Sequence, residues 1–209
     1  MGQNTLNDYK DSSKKDKLDL IKKDIKNNLV CDLKDNATNL VFGKGNIDSD
    51  IFFIGEAPGK NEDLEGLPFV GRAGKQLDDM LSTINLGIND VYIANILKYR
   101  PPKNRDPNPE EIKKHTPYLI RQIKVIKPKV VVTLGNFATK FALAGFKKEG
   151  MSKVSGISKI HGTVFDSHDL VAKLKIFPMY HPAAMLYRRK LKDTLYEDFE
   201  KLGKLIKNN

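Results

Sequence analysis

The sequence predicts an α/β protein: a three-layer α/β/α domain with a central, mainly parallel four-stranded sheet. Two observations carry this prediction. Four short apolar runs, rich in β-branched residues, alternate along the chain with longer segments of helical periodicity, a pattern typical of parallel strands covered by helices on both faces. Three of these runs also lead directly into a polar or glycine-rich segment, as expected where strands deliver a binding site to the carboxyl edge of a sheet.

The predicted elements follow one another in a regular order. Leu18, Ile21, Ile25 and Leu29 recur at helical spacing and predict an amphipathic helix that ends near residues 27–28. Residues 1–16 are predicted to be a disordered polar lead, and residues 17–209 a single domain. The strands are predicted at residues 51–54, 91–94, 130–134 and 175–179, the further helices at residues 74–84, 109–126, 136–143 and about 194–206, and a hairpin-like segment at about 154–165.

Length and composition narrow the class of protein. The chain has 209 residues, of which 40% are hydrophobic, enough for one compact domain with its own core. No apolar run reaches about 18 residues, the length of an ordinary membrane helix, and the polar N-terminal segment has no apolar signal-peptide core. We therefore expect a cytoplasmic protein without a membrane partner, and a monomer. Because Cys31 is the only cysteine, an intramolecular disulfide and a multi-thiolate metal site are excluded.

The net charge of +10 is compatible with a nucleic-acid partner, since phosphate binding is driven by charge and counterion release. Lysine far exceeds arginine in this chain, so part of the excess can be a compositional habit of the source. Charge alone leaves the partner open.

The first polar segment, residues 55–74, reads GEAPGKNEDLEGLPFVGRAG. A surface loop with ordinary turn chemistry would account for its glycines and prolines, and the segment matches neither common nucleotide-binding fingerprint. Phe69, held between Pro68 and Val70 after an acidic stretch, could instead present a flat ring to a nucleobase. Core packing is the alternative for that ring.

The second and third polar segments follow later strands. Asn95 ends the second strand, where a side-chain amide could read the edge of a pyrimidine with one donor and one acceptor, although a structural cap is the commoner role. The basic run at residues 98–105, which includes Arg105, could touch phosphates. His181 ends the fourth strand and could donate a hydrogen bond to a leaving group. The apolar Met185 and Leu186, followed by Arg188, Arg189 and Lys190, have the composition of a wedge that extrudes a base from DNA.

Four motifs, in this order, resemble those of the family 4 uracil-DNA glycosylases. They are GEAPG at 55–59, EDxxGxPFVGxAG at 62–74, NxxKxRPPxNRxP at 95–107 and HPAA at 181–184. The resemblance covers nearly the whole chain and implies that the protein removes uracil from single- or double-stranded DNA.

The resemblance also implies roles for individual residues. Phe69 would stack on the extruded uracil, Asn95 would read its edge, and His181 would stabilise the O2 side of the departing base. Glu56, Glu62 and Asn104 would line the site and orient or activate water, beside Gly55 and Ala57 of the first motif. Ala57 stands where related families carry a water-activating Asp, which makes Glu62 the candidate for that task.

One departure from the family concerns its usual four-iron, four-sulfur cluster, held by four cysteines. The matched motifs place these positions at Asn28, Cys31, Tyr99 and His115, and one thiolate with one imidazole cannot hold such a cluster. We expect no cofactor and no metal, and we expect these four residues to lie close together.

Two other functions remain as alternatives. The chain could be a non-catalytic module that binds uracil-containing or single-stranded DNA, or a hydrolase of small nucleosides or nucleotides on the same kind of sheet. Retention of every polar site residue argues against the first, and the basic charge and wedge-like segment argue against the second.

Overall fold

The computed structural model describes residues 12–167 and 174–208, and the elements named here lie within those ranges. Three 3-10 helices, at Ile88–Asp90, Pro102–Asn104 and Met151–Lys153, interrupt the connections. In chain order, the helices and strands are α1 (Lys14–Asn28), α2 (Asp32–Asn36), β1 (Lys44–Gly45), β2 (Ile51–Gly55), α3 (Lys60–Glu65), α4 (Arg72–Thr83), β3 (Tyr92–Asn95), α5 (Pro109–Ile126), β4 (Val130–Leu134), α6 (Asn136–Leu143), α7 (Ile157–Ile160), β5 (Phe165–Ser167), β6 (Leu174–Met179), α8 (Ala184–Tyr187) and α9 (Leu191–Lys207).

The sheet has the strand order β1-β3-β2-β4-β6-β5. β3, β2, β4 and β6 are parallel neighbours, which confirms the predicted parallel core. β1 and β5 pair antiparallel at the two edges, so the described sheet has six strands and the predicted number of four is wrong. Both edge strands are too short to produce a hydrophobic period of their own, and only their pairing defines them.

Helices cover both faces of the sheet, as predicted. Successive residues of β2 point to opposite faces: Phe52 belongs to the core beneath α1 and α5, and Phe53 to the core beneath α4 and α9. The strand is buried along its whole length. This explains why its sequence is continuously apolar and why its carboxyl end can hold a site rigidly.

Two local predictions need correction. α1 begins at Lys14, because Ser13 and Asp16 form a reciprocal capping box, so the predicted lead ends too late at residue 16; residues 1–11 lie outside the described part. The predicted hairpin at 154–165 is instead helix α7, which spans one turn, followed by the edge strand β5, which pairs with β6. Gly162, at φ +66°, turns the chain between them.

Residue spacing did not reveal the short helices α2 and α3. α3 matters for the site because it carries Glu62, and it ends at Gly66 in a left-handed conformation with φ 70°, the usual way to stop a helix. Across the described ranges, no helix is long and apolar enough to cross a membrane.

Candidate active site

A cavity of about 380 Å³ opens at the carboxyl edge of the sheet. The ends of β2, β3 and β6 meet there, because parallel strands place their carboxyl ends on one side. Its volume falls within the range of small-ligand sites, roughly 300–1,000 Å³. It is lined by Glu56, Ala57, Pro58, Gly59, Glu62, Phe69, Ala73, Asn95, Pro101, Asn104, Arg105, His181 and Ala183.

Asn95 and Phe69, which both line the cavity, converge over Gly55. Gly55 pairs with Asn95 across the two parallel strands. A Cβ atom on Gly55 would lie 2.3 Å from the Asn95 Oδ1 atom and 2.9 Å from the Phe69 ring, so only glycine lets amide and ring approach each other. Asn95 is 2% exposed, and among the described residues its side-chain amide has no hydrogen-bond partner. The amide is therefore available to a ligand.

Phe69 stands in a left-handed backbone conformation, with φ 53°, that costs a non-glycine residue about 1–2 kcal/mol. Three features hold it there. The Glu62 Oε1 atom accepts hydrogen bonds from the backbone N–H groups of Val70 (3.0 Å) and Gly71 (2.9 Å). Lys44 Nζ donates to the Phe69 carbonyl oxygen at 3.0 Å. That oxygen lies 1.8 Å from where a Cβ of Gly74 would be, so this position also requires glycine.

His181 lies beside Phe69 in the cavity lining, with 5.6 Å between the ring centroids. Its Nδ1 atom accepts a hydrogen bond from the Ala183 backbone N–H at 3.2 Å. Burial lowers the pKa of His181 to about 4, although Glu62 acts in the opposite direction. The imidazole is therefore neutral at pH 7, and since Nδ1 is an acceptor, Nε2 carries the proton as a donor.

Glu56 follows β2 directly and lines the cavity. Burial, together with a smaller effect of the nearby charge of Asp106, raises the pKa of its carboxyl to about 7. Such a group exchanges a proton near neutral pH, which suits a carboxylate that handles water or a developing positive charge.

Asn104 and Arg105 complete the rim. The Asn104 Oδ1 atom accepts a hydrogen bond from Arg100 Nε at 2.7 Å. Arg105 forms a bidentate ion pair with Glu111, at 2.9 and 2.5 Å. The Arg105 guanidinium, expected to contact DNA, is thus already engaged by a carboxylate, and its first role is to fix the rim.

The structure supports only some of the residues expected to form the apolar wedge or to contact phosphates. Met185 is 7% exposed and packs in the core with α9, so its side chain is not presented to DNA in this conformation. The side chain of Leu186 lies outside the described residues. Arg188 and Arg189 are exposed. Lys98, expected in a phosphate-binding run, is 0% exposed, and that expectation is wrong for it.

The four positions matched to cluster ligands do not fit an iron–sulfur cluster. Asn28 is exposed and donates its amide to Asp24 at 2.6 Å. Cys31 and Tyr99 are buried in the same core, and the Tyr99 ring meets His115 edge-on, 6.2 Å between centroids. His115 Nδ1 accepts from the backbone N–H of Lys98. Within the described ranges, no group of three or more His, Cys, Asp or Glu residues could hold a metal ion.

Sequence reasoning missed two lysines that support the site. Lys44 was not singled out, because its contact with Phe69 comes from a separate edge strand. Lys98 was assigned to a basic surface run. Its position between the apolar Leu97 and Tyr99 was the signal that could have indicated burial.

The fold and the site together define an α/β/α protein with a small-ligand cavity at the carboxyl edge of its sheet. The model of the uracil DNA glycosylase superfamily matches residues 42–202. Type-4 uracil-DNA glycosylases of three organisms are similar to the chain. That of Archaeoglobus fulgidus is 47% identical over 90% of this chain and 92% of its own length. Those of Saccharolobus solfataricus and Thermotoga maritima are 44% and 39% identical over 91% of this chain, and over 87% and 95% of their own lengths.

The chain belongs to the uracil-DNA glycosylase superfamily and, within it, to the type-4 enzymes. The resemblance drawn from the four motifs is thereby confirmed.

Proposed function

We propose that the protein is a DNA-repair glycosylase that hydrolyses the N-glycosidic bond of deoxyuridine in DNA. The C1′–N1 bond breaks with its electron pair on uracil, water supplies an oxygen to C1′, and the proton released ends on the base. The products are free uracil and an abasic site. The observation that carries the proposal is the meeting of Asn95, Phe69 and a neutral His181 in one cavity.

Asn95 reads the base while Phe69 provides the surface on which it stacks. Uracil presents a donor at N3 and an acceptor at O4, which the donor and acceptor of one fixed amide satisfy. Cytosine exchanges these groups, and each buried polar group left unpaired costs about 1–3 kcal/mol. Gly55 keeps the amide and the ring close enough to act on the same base.

His181 assists departure of the base. In the proposed complex its Nε2–H donates to the O2 side of uracil, where negative charge grows as the bond breaks. A donor aimed at developing charge in a site shielded from water contributes to the rate more than to binding. The neutral state of the ring, a consequence of burial, leaves the proton on the histidine as the base leaves.

Glu56 is the carboxylate best suited to water and to the positive character of the sugar. Its pKa of about 7 leaves a large share ionised at neutral pH, and Asn104 lies on the same rim. Glu62, expected from sequence to handle water, has one oxygen committed to two backbone N–H groups. We therefore assign Glu62 first to holding Phe69 in place.

The exposed Arg188 and Arg189 support contact with DNA phosphates, and the net charge of +10 favours the encounter. DNA affinity is expected to fall steeply with added salt. Replacing both arginines by Ala should weaken binding to all sequences alike, because phosphate contacts do not read bases. A flat salt dependence would count against DNA as the partner. We further propose that the protein acts as a cytoplasmic monomer without a cofactor.

Single-turnover kinetics test the function, with a uracil-containing oligonucleotide, its cytosine counterpart and free deoxyuridine as substrates. We expect excision from the uracil oligonucleotide alone. Asn95→Ala and His181→Ala should both slow excision, the latter by about a hundredfold or more with DNA affinity retained. Asn95→Asp should relax or redirect base choice.

The same assay decides between the alternatives. Binding of the uracil oligonucleotide without release of uracil would indicate a non-catalytic binding module. Hydrolysis of free deoxyuridine at a comparable rate would indicate a nucleoside hydrolase. Arg189→Ala serves as a control that should weaken DNA binding and leave the cavity unchanged.

A further inference from the structure

Lys98 is a fully buried lysine directly beneath the base-reading residue. It lies three positions after Asn95, and its side chain is 0% exposed. Its Nζ atom donates to the main-chain oxygen of Asn95 at 2.8 Å and to the Gln122 Oε1 atom at 2.6 Å. Its own backbone N–H donates to His115 Nδ1 at 3.0 Å. Lys98 therefore joins the end of β3 to two residues of α5.

This ammonium group has no carboxylate partner among the described residues, whose ion pairs all involve other cations. The neighbouring groups are uncharged. His115 stays neutral because burial and Lys98 lower its pKa to about 3, and Gln122 donates to the Phe42 carbonyl oxygen and the Tyr92 hydroxyl. An unpaired buried charge destabilises a fold relative to an apolar side chain. Fold stability alone therefore does not account for a lysine here.

The cavity above Lys98 lacks a positive charge that could offset an anionic base. His181 is neutral, Glu56 and Glu62 bring carboxylates to the lining, and Arg105 is paired with Glu111. A departing base that takes the bonding electrons would meet negative charge on one side. The buried cation on the other side is the Lys98 ammonium, which binds the main-chain oxygen of Asn95 itself.

We propose that Lys98 is a positioning residue for base excision, which fixes the main chain of Asn95 and places a buried positive charge behind the base-reading amide so that the base departs more readily as an anion. This rests on the proposed glycosylase function. Lys98 contacts neither base nor sugar and acts through Asn95. Burial lowers the pKa of its amine to about 7, so an appreciable fraction is charged at neutral pH.

The test compares two leaving groups in the intact protein. Single-turnover excision is measured with uracil and with 5-fluorouracil in the same oligonucleotide, because the fluorinated base bears negative charge more readily and depends less on stabilisation by the protein. Lys98→Met should excise uracil about tenfold more slowly or worse, equivalent to about 1.4 kcal/mol, and 5-fluorouracil with a clearly smaller loss. Affinity for uracil-free DNA should not change. Lys14→Met is the matched control, since Lys14 Nζ also binds main-chain carbonyl oxygens, of Ile47 and Ile126, away from the cavity.

A second variant covers the case in which Lys98→Met does not fold. Gln122→Glu places a carboxylate beside the ammonium and neutralises its field while Lys98 stays in place. It should also lower the uracil rate more than the 5-fluorouracil rate.

Each outcome has a distinct meaning. Unmodified protein that fails to excise uracil overturns the glycosylase function and this proposal with it. Active unmodified protein with equal losses on both bases in Lys98→Met, or no loss, overturns the role of Lys98 alone. For an unfolded Lys98→Met, an unchanged ratio of the two rates in Gln122→Glu does the same.

Discussion

Replacement of Glu62 separates two roles that a carboxylate in this cavity can have. In the structure, one oxygen of Glu62 accepts hydrogen bonds from the backbone N–H groups of Val70 and Gly71. These bonds keep Phe69 in a left-handed conformation. A hydrogen bond to a charged group contributes about 1.5–3 kcal/mol. Because Glu62 is partly exposed, we take the lower value for each of its two bonds. Glu62→Ala removes both hydrogen bonds and thus about 3 kcal/mol of stabilisation from the loop conformation that holds Phe69 in place. The population of that conformation falls about a hundredfold.

Glu62→Gln keeps an acceptor oxygen for both N–H groups and loses only the charge. We expect its excision rate to fall by about tenfold, roughly the difference between a charged and a neutral acceptor, so the Gln variant should be clearly faster than the Ala variant. Single-turnover excision of uracil provides the measurement, with Glu65→Ala as a control on the same helix, because Glu65 is exposed. Equal losses in the Gln and Ala variants would show that Glu62 handles water, and an unchanged Ala variant would refute both roles.

Three further predictions follow from the site. The excision rate should fall as the pH drops through about 7, where Glu56 takes up a proton, and Asp106→Asn should move this limb to lower pH because it removes a charge that raises the Glu56 pKa; a pH profile insensitive to Asp106→Asn would contradict the assignment. Gly55→Ala should reduce excision about tenfold to a hundredfold, since overpacking between Asn95 and Phe69 costs about 1–3 kcal/mol; normal kinetics would show that the two side chains need not meet. Freshly purified protein should be colourless, and a metal analysis that finds about four irons per chain would contradict the expected lack of a cluster.

The sequence predicts the buried elements well because their hydrophobic patterns are strong. α5, α6 and β4 have the predicted bounds, β2 and β6 differ by one residue at one end, and β3 is shifted by one residue toward the C-terminus. The edge strands β1 and β5 depend on pairing with β3 and β6. In a segment of two or three residues, such pairing produces no recognisable sequence pattern. α2 and α3 are too short to show a period.

The site is predictable in its placement and less so in its contacts. Strand ends bring Gly55, Asn95 and His181 together because the topology of a parallel sheet requires it. Tertiary packing decides that Met185 and Lys98 are buried and that Glu62 holds the loop of Phe69. Residue type alone does not reveal this packing. A lysine reads as a surface residue until its neighbours are known.

The short edge strands have a consequence for how the protein behaves at high concentration. An exposed sheet edge offers free backbone N–H and C=O groups to a neighbouring molecule, and long, flat edges invite aggregation. In the described part of the sheet, the parallel strands are enclosed, while β1 offers two residues that include Lys44, and β5 offers three that include Asp166. Edges so brief and charged give another copy little to extend. Within the described residues, the apolar interior of the sheet is therefore shielded from edge-to-edge pairing with another copy.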